Sequence, residues 1–165
     1  MKMTEMFLAQ LEREAPGTRS ALERVPAGRS DWKPHEKSMP LGTLASLVAS
    51  MPSWIATMIE QNEMDIGAGG GAQSAARTSR ELVQLLDKSI AAAKRALTST
   101  TDKHLMTLWR LRYGDRVLAE KPRYVMITDG VFSHLAHHRS QLTVYLRLNN
   151  IPVPALYGAT ADEGF

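Results

Sequence analysis

Four segments of this 165-residue chain repeat their apolar residues with a helical period, and that patterning restricts the fold more than any other feature. Residues 3–25 carry Met6, Leu8, Leu11, Ala15 and Leu22 with charges between them. Pro16-Gly17 places two poor helix-interior residues in this stretch, so a kink or weak turn is expected there. Pro40 suits the first turn of a second helix over 40–64, marked by Leu44, Leu47, Val48, Met51, Ile55, Met58 and Ile59. Thr78-Ser79-Arg80-Glu81 fits a capping box that opens a third helix over 78–97. Pro122 opens a fourth over 122–149, which Asn149-Asn150 and Pro152 terminate.

Between these segments, Ser30 to Lys37 reads as an ordered loop anchored by Trp32, and Gly67 to Ala72 as a flexible linker without the Lys-Ser/Thr of a phosphate loop. Leu108 to Leu118 reads as a short hairpin or an extended crossover with a turn at Gly114-Asp115. The expected architecture is therefore all-α: a four-helix bundle with a long crossover between helices three and four, forming one domain over 1–165.

Composition narrows the chemistry. Hydrophobic residues at 44% and charged residues at 22% suit a chain that buries its own core. There is no cysteine, which excludes disulfides, thiolate metal sites and cysteine nucleophiles, so any metal must be held by nitrogen and oxygen. The charged N-terminal stretch has no signal-peptide core, and no run of about 18 apolar residues suggests a membrane span, so a cytoplasmic protein without a membrane partner is expected. The formal charge of +3 and a pI near 9.3 invite a nucleic-acid reading. Because the charges are spread over helix faces and form no basic block, nucleic acid is not the expected partner.

The stretch from Phe132 to Arg147 holds the most chemistry. On a helix turning about 100° per residue, His134 and His138 lie about 40° apart on one face and can share a metal ion. Leu135, Leu142, Tyr145 and Leu146 fall close to the same side, so this pair is expected within or beside the buried stripe, with His137 on its margin. A hydrogen-bonded core pair is the plainer reading of the same spacing. No glutamate follows His134, which excludes the HExxH pattern of zinc peptidases. Arg139 can face an anionic substrate or a salt-bridge partner. Trp32, Trp54 and Trp109 can line a pocket or serve as packing anchors.

The run His134-Leu-Ala-His-His138-Arg139-Ser-Gln141-Leu-Thr-Val-Tyr145-Leu-Arg147, followed by Ile151-Pro-Val-Pro154-Ala-Leu-Tyr157-Gly158, resembles the C-terminal signature of the DinB/YfiT-like superfamily. Trp32-Lys-Pro34-His-Glu-Lys37-Ser38-Met39-Pro-Leu41-Gly42-Thr-Leu44-Ala45 and Pro52-Ser-Trp54 resemble its N-terminal half. The resemblance implies a four-helix bundle, often a homodimer, in which three histidines bind a divalent metal such as zinc or nickel. Some relatives are thiol transferases and others proposed hydrolases.

Two of the implied ligands map onto His134 and His138. The third falls on Leu47, whose aliphatic side chain cannot ligate, and Thr43, Ser50 and Met51 one turn away are poor substitutes. His104, Asp162 and Glu163 remain as candidates to complete the site. The expectation is thus a degenerate metal site in a homodimeric small-molecule-binding or scaffold protein. The alternative is a divalent-metal-dependent hydrolase or thiol S-transferase that uses His134, His138 and a third ligand from elsewhere.

Overall fold

The structure, a computed structural model, describes residues 2–67, 76 and 78–164. Helix α1 (Met3–Glu23) runs through Pro16 and Gly17 without a break, contrary to the expected kink or turn. Gly17 serves the packing instead: a Cβ there would stand 3.1 Å from Leu156 Cδ2, so its absence lets the C-terminal tail close over the helix.

The expected second helix divides. Helix α2 (Leu41–Ser50) passes into a 3-10 turn (Met51–Ser53) at Pro52, and α3 (Trp54–Glu60) ends four residues before the expected boundary. By length and a mean hydropathy of 1.3, Leu41–Glu60 meets the requirements of a membrane span, but 67% of that apolar window is buried inside the fold, as in a core helix. Of the expected Gly67–Ala72 linker only Gly67 lies among the described residues. It donates to Asp65 Oδ1 at 2.8 Å.

Helix α4 (Ser79–Ser99) begins with the expected capping box. The Glu81 N–H donates to Thr78 Oγ1 at 3.2 Å, and the Thr78 N–H donates to Glu81 Oε2 at 3.1 Å. After the short α5 (Asp102–Leu105), the chain forms a hairpin rather than a plain crossover.

This overturns the all-α four-helix bundle: the molecule is mostly helical but carries a three-stranded mixed sheet. Strand β1 (Glu63–Asp65) pairs in parallel with β2 (Leu108–Tyr113), which pairs antiparallel with β3 (Arg116–Pro122). Two local causes create it. Gly114, at φ 56° in the first position of a two-residue loop, turns the hairpin without a Cβ penalty. The early end of α3 frees Glu63–Asp65 to bond along the open side of β2. Arg123, fully buried, locks this corner by donating to Thr107 Oγ1 (2.5 Å), the Leu108 carbonyl (2.7 Å), the Gln61 carbonyl (3.0 Å) and Asn62 Oδ1 (2.8 Å).

The last helical stretch begins after Pro122, as expected, with α6 (Arg123–Ile127). It passes through a π turn (Thr128–Ser133) and continues as α7 (His134–Leu148). Asn150 at φ 58° terminates it, with the Ile151 N–H donating back to the Leu146 carbonyl.

Two apolar clusters result. One gathers Phe7, Ile55, Trp109, Ile127 and Phe132 between α1, α3, the sheet and the π turn. The other gathers Leu22, Leu41, Leu44, Val48, Leu86, Leu135 and Leu142 between α1, α2, α4 and α7. Trp54 packs against both, which sets the start of α3 at the seam between them.

A histidine pair at the mouth of an apolar cavity

His134 stands where the π turn gives way to α7. A π turn carries one more residue per hydrogen-bonded ring than an α-helix, so it rotates everything before His134 relative to a regular wheel. The His134–His138 spacing lies wholly inside α7 and keeps its one-turn alignment. Both rings are half-buried, with centroids 4.5 Å apart, and their Nε2 atoms are 2.8 Å apart. In such a contact one nitrogen donates and the other accepts, so the pair holds one proton between its facing atoms. The other nitrogen of His138 lies 2.8 Å from Gln141 Oε1. His137 is exposed and only flanks the pair, its centroid 5.0 Å from His138 and 6.4 Å from His134.

Burial lowers the pKa of His134 below the ordinary imidazole value, and the charges of His138 and His137 act in the same direction. A hydrogen bond to the Gly130 backbone opposes them. The neutral ring is therefore favoured at His134.

The expected third position, Leu47, lies on α2 and packs against the cluster that includes Leu135 and Leu142 of α7. None of the three possible replacements is free. His104 Nε2 bonds the Ile59 carbonyl at 2.8 Å. Asp162 pairs with Arg147 and accepts from the Val153 N–H at 2.8 Å. Glu163 pairs with Arg24 and accepts from the Ala155 N–H at 2.8 Å. Among the described residues no group of three or more His, Asp or Glu side chains is placed to hold a metal ion. The donor set therefore does not fit a three-histidine metal centre, because two imidazoles are present where that centre needs a third protein ligand.

Arg139 does not face the site. It is buried against α1, where it donates to Glu14 Oε2 at 2.6 Å and Thr18 Oγ1 at 2.8 Å. Tyr157 from the C-terminal tail joins this network by hydrogen bonds to Arg139 and Glu14, so Arg139 is a structural cation.

His134 also lines a cavity of about 240 Å³. Met58, Trp109 and Met126 are its buried residues, while Ile66 is 45% exposed and Trp54, Thr57, Met64, Leu111, Gly130 and His134 are half-buried. Apart from His134, no lining side chain is ionisable. Gly130 contributes its lack of a side chain: a Cβ there would stand 3.1 Å from Met58 Cε. The tryptophans thus divide by role. Trp54 and Trp109 line the cavity, while Trp32 packs edge-on against Tyr145 at 5.5 Å and anchors the Ser30–Lys37 loop. Met64, Met126 and Gly130 carry no signal in the sequence that would link them to His134. They reach the cavity from β1, α6 and the π turn.

No protein-family profile and no curated protein matches the chain. Solved structures do. A DinB-like protein from Bacillus cereus superposes with a TM-score of 0.73 at 21% identity, over 93% of this chain and 97% of that one. A DinB-like protein from Bacillus subtilis superposes with a TM-score of 0.69 at 16% identity, over 90% and 96%. The chain has the fold of these DinB-like proteins over nearly its whole length, in keeping with the sequence resemblance.

Proposed function

We propose that this DinB-like fold serves here as a small-molecule-binding protein whose metal centre is reduced to two histidines. The observation that carries the reading is the apolar cavity of about 240 Å³ that ends on His134. It exceeds the ~150 Å³ at which an engineered apolar cavity already takes up benzene. The histidine contact supports the same reading. A tetrahedral ion with bonds of about 2.0–2.1 Å would hold two ligating nitrogens roughly 3.3 Å apart. The present 2.8 Å separation is that of a hydrogen bond.

The test joins metal analysis of protein purified without chelator to a titration with toluene, followed by NMR of the methionine methyls. The expected result is well under one equivalent of metal, with saturable shifts at Met58, Met64 and Met126 that survive chelation. One equivalent of zinc or nickel, lost on chelation together with the toluene response, would overturn the reading in favour of a metal-dependent hydrolase or thiol transferase.

A further inference from the structure

Gly130 lines the cavity without a side chain, and its backbone conformation does not call for glycine. It lies within the π turn, and the glycines at positive φ among the described residues are Gly28 and Gly114. Any L-residue can take a helical conformation, and alanine takes it more readily than glycine. What glycine supplies at this point is room. A Cβ there would stand 3.1 Å from Met58 Cε, closer than ordinary van der Waals contact. Beyond its chain neighbours and its own helix, it would meet no other atom of the described residues within 4 Å. Met58 is 5% exposed and lines the same cavity, so a methyl group pushed out of that contact has the cavity as its free volume.

We propose that the cavity takes a neutral aromatic molecule of two fused rings, and that Gly130 sets this size limit by leaving Met58 clear of the space. This rests on the small-molecule-binding reading above and specifies the ligand's class and the residue that selects it. Size follows from volume: a cavity of about 240 Å³, against the ~150 Å³ that holds benzene, scales to about ten non-hydrogen atoms. Aromaticity follows from the lining, where Trp54 and Trp109 offer ring surfaces and Met58, Met64 and Met126 offer thioethers that pair favourably with aromatic rings. Neutrality follows from the lack of any acidic or basic lining side chain other than His134, because a charge buried without a partner is strongly disfavoured.

Toluene, naphthalene and 2-isopropylnaphthalene, which are smaller than, matched to and larger than this limit, are the probes. Binding is read by calorimetry and by the methionine methyl resonances. The full chain should bind naphthalene about tenfold more tightly than toluene, for the extra apolar surface buried. The branched probe should bind at least about tenfold more weakly than naphthalene, because it overfills the space. In Gly130→Ala the naphthalene affinity should fall about tenfold while that of toluene stays within about twofold, and without ligand the Met58 methyl resonance should move further than those of Met64 and Met126. Adding Met58→Ala should restore naphthalene binding, since the atom that the new Cβ meets is gone. Should the double variant fail to fold, the size preference of Gly130→Ala decides the matter alone. Equal losses for toluene and naphthalene in Gly130→Ala, or no recovery in a folded double variant, would overturn the role of Gly130 and leave the cavity reading intact. A parent that prefers toluene or the branched probe to naphthalene would overturn the size limit. Failure of all three probes to bind would overturn the cavity reading itself.

Discussion

Leu47→His tests the histidine site most directly, because it places an imidazole where the family resemblance calls for a third ligand. Leu47 is half-buried against the apolar cluster that includes Leu135 and Leu142, so replacing it gives up part of the roughly 1.5–3 kcal/mol that full burial of a leucine contributes. It also inserts a polar ring among aliphatic neighbours. A loss of about 1–2 kcal/mol is expected, which in a domain of this size lowers Tm by about 2–8 °C. Metal binding must then open the His134–His138 contact from 2.8 Å to roughly 3.3 Å, at a cost of about one hydrogen bond, or ~1 kcal/mol. Against that, a third nitrogen ligand on an ordered scaffold should tighten zinc or nickel by about 100-fold or more, some 2.7 kcal/mol. Zinc at 100 times the variant's Kd should therefore return about 2.7 kcal/mol and more than offset the loss, while leaving the parent's Tm nearly unchanged. Calorimetry and thermal melts on both proteins supply the measurements. Tight one-to-one binding by the parent would refute the reduced site, and no gain in the variant would refute the placement of Leu47 opposite the pair.

Three further outcomes are expected. Glu14→Ala leaves Arg139, whose side chain is 2% exposed, without its carboxylate and should cost about 3–5 kcal/mol in urea unfolding; a loss below about 1 kcal/mol would show that water reaches the guanidinium. Asp162 and Glu163 have depressed pKa values, first through their bonds to Arg147 and Arg24 and then through the Val153 and Ala155 N–H groups. Their stabilisation is thus complete above the ordinary carboxylate range and is lost as pH falls from about 5 toward 2, so hydrogen exchange in residues 151–163 should accelerate there before it does in α4; simultaneous acceleration would refute a separate tail transition. The homodimer that the family resemblance implies should give light scattering at twice 18.3 kDa at micromolar concentration, and single Val144→Lys and Leu148→Lys changes at exposed positions of α7 should shift the mass toward the monomer; a monomeric parent would refute it.

The parts of the fold legible in the sequence are those decided by one residue's local chemistry. Thr78 and Glu81 satisfy each other's backbone, Pro122 opens α6, and Asn150 closes α7 in the left-handed conformation, whatever the rest of the chain does. Gly114 is of the same kind, and the hairpin reading of 108–118 follows from it. Strand β1 is of a different kind. Three residues, Glu63, Met64 and Asp65, have no periodicity to read, and their pairing with Arg110, Leu111 and Arg112 spans more than forty positions. The apolar period of α3 therefore extends on paper to residue 64, although the helix ends at Glu60 and the next residues join the sheet.

The candidate site divides in the same way. His134 and His138 were legible as a pair because both lie inside one regular helix, where spacing alone fixes their relative angle. The cavity beside them was not, because its wall comes from α3, β1, β2, α6 and the π turn and exists only once the sheet is in place. A plain four-helix bundle would put the Trp109 segment in a crossover rather than under α3. The correction to the fold is thus also what creates the cavity: β2 carries Trp109 and Leu111 to its wall, β1 adds Met64, and the π turn sets Gly130 against Met58 with His134 at the next turn. Given that coupling, Gly114→Val, which strains the hairpin turn, should weaken toluene binding more than it shifts the histidine resonances. Equal effects on both would mean that the sheet and the histidine helix respond as one unit.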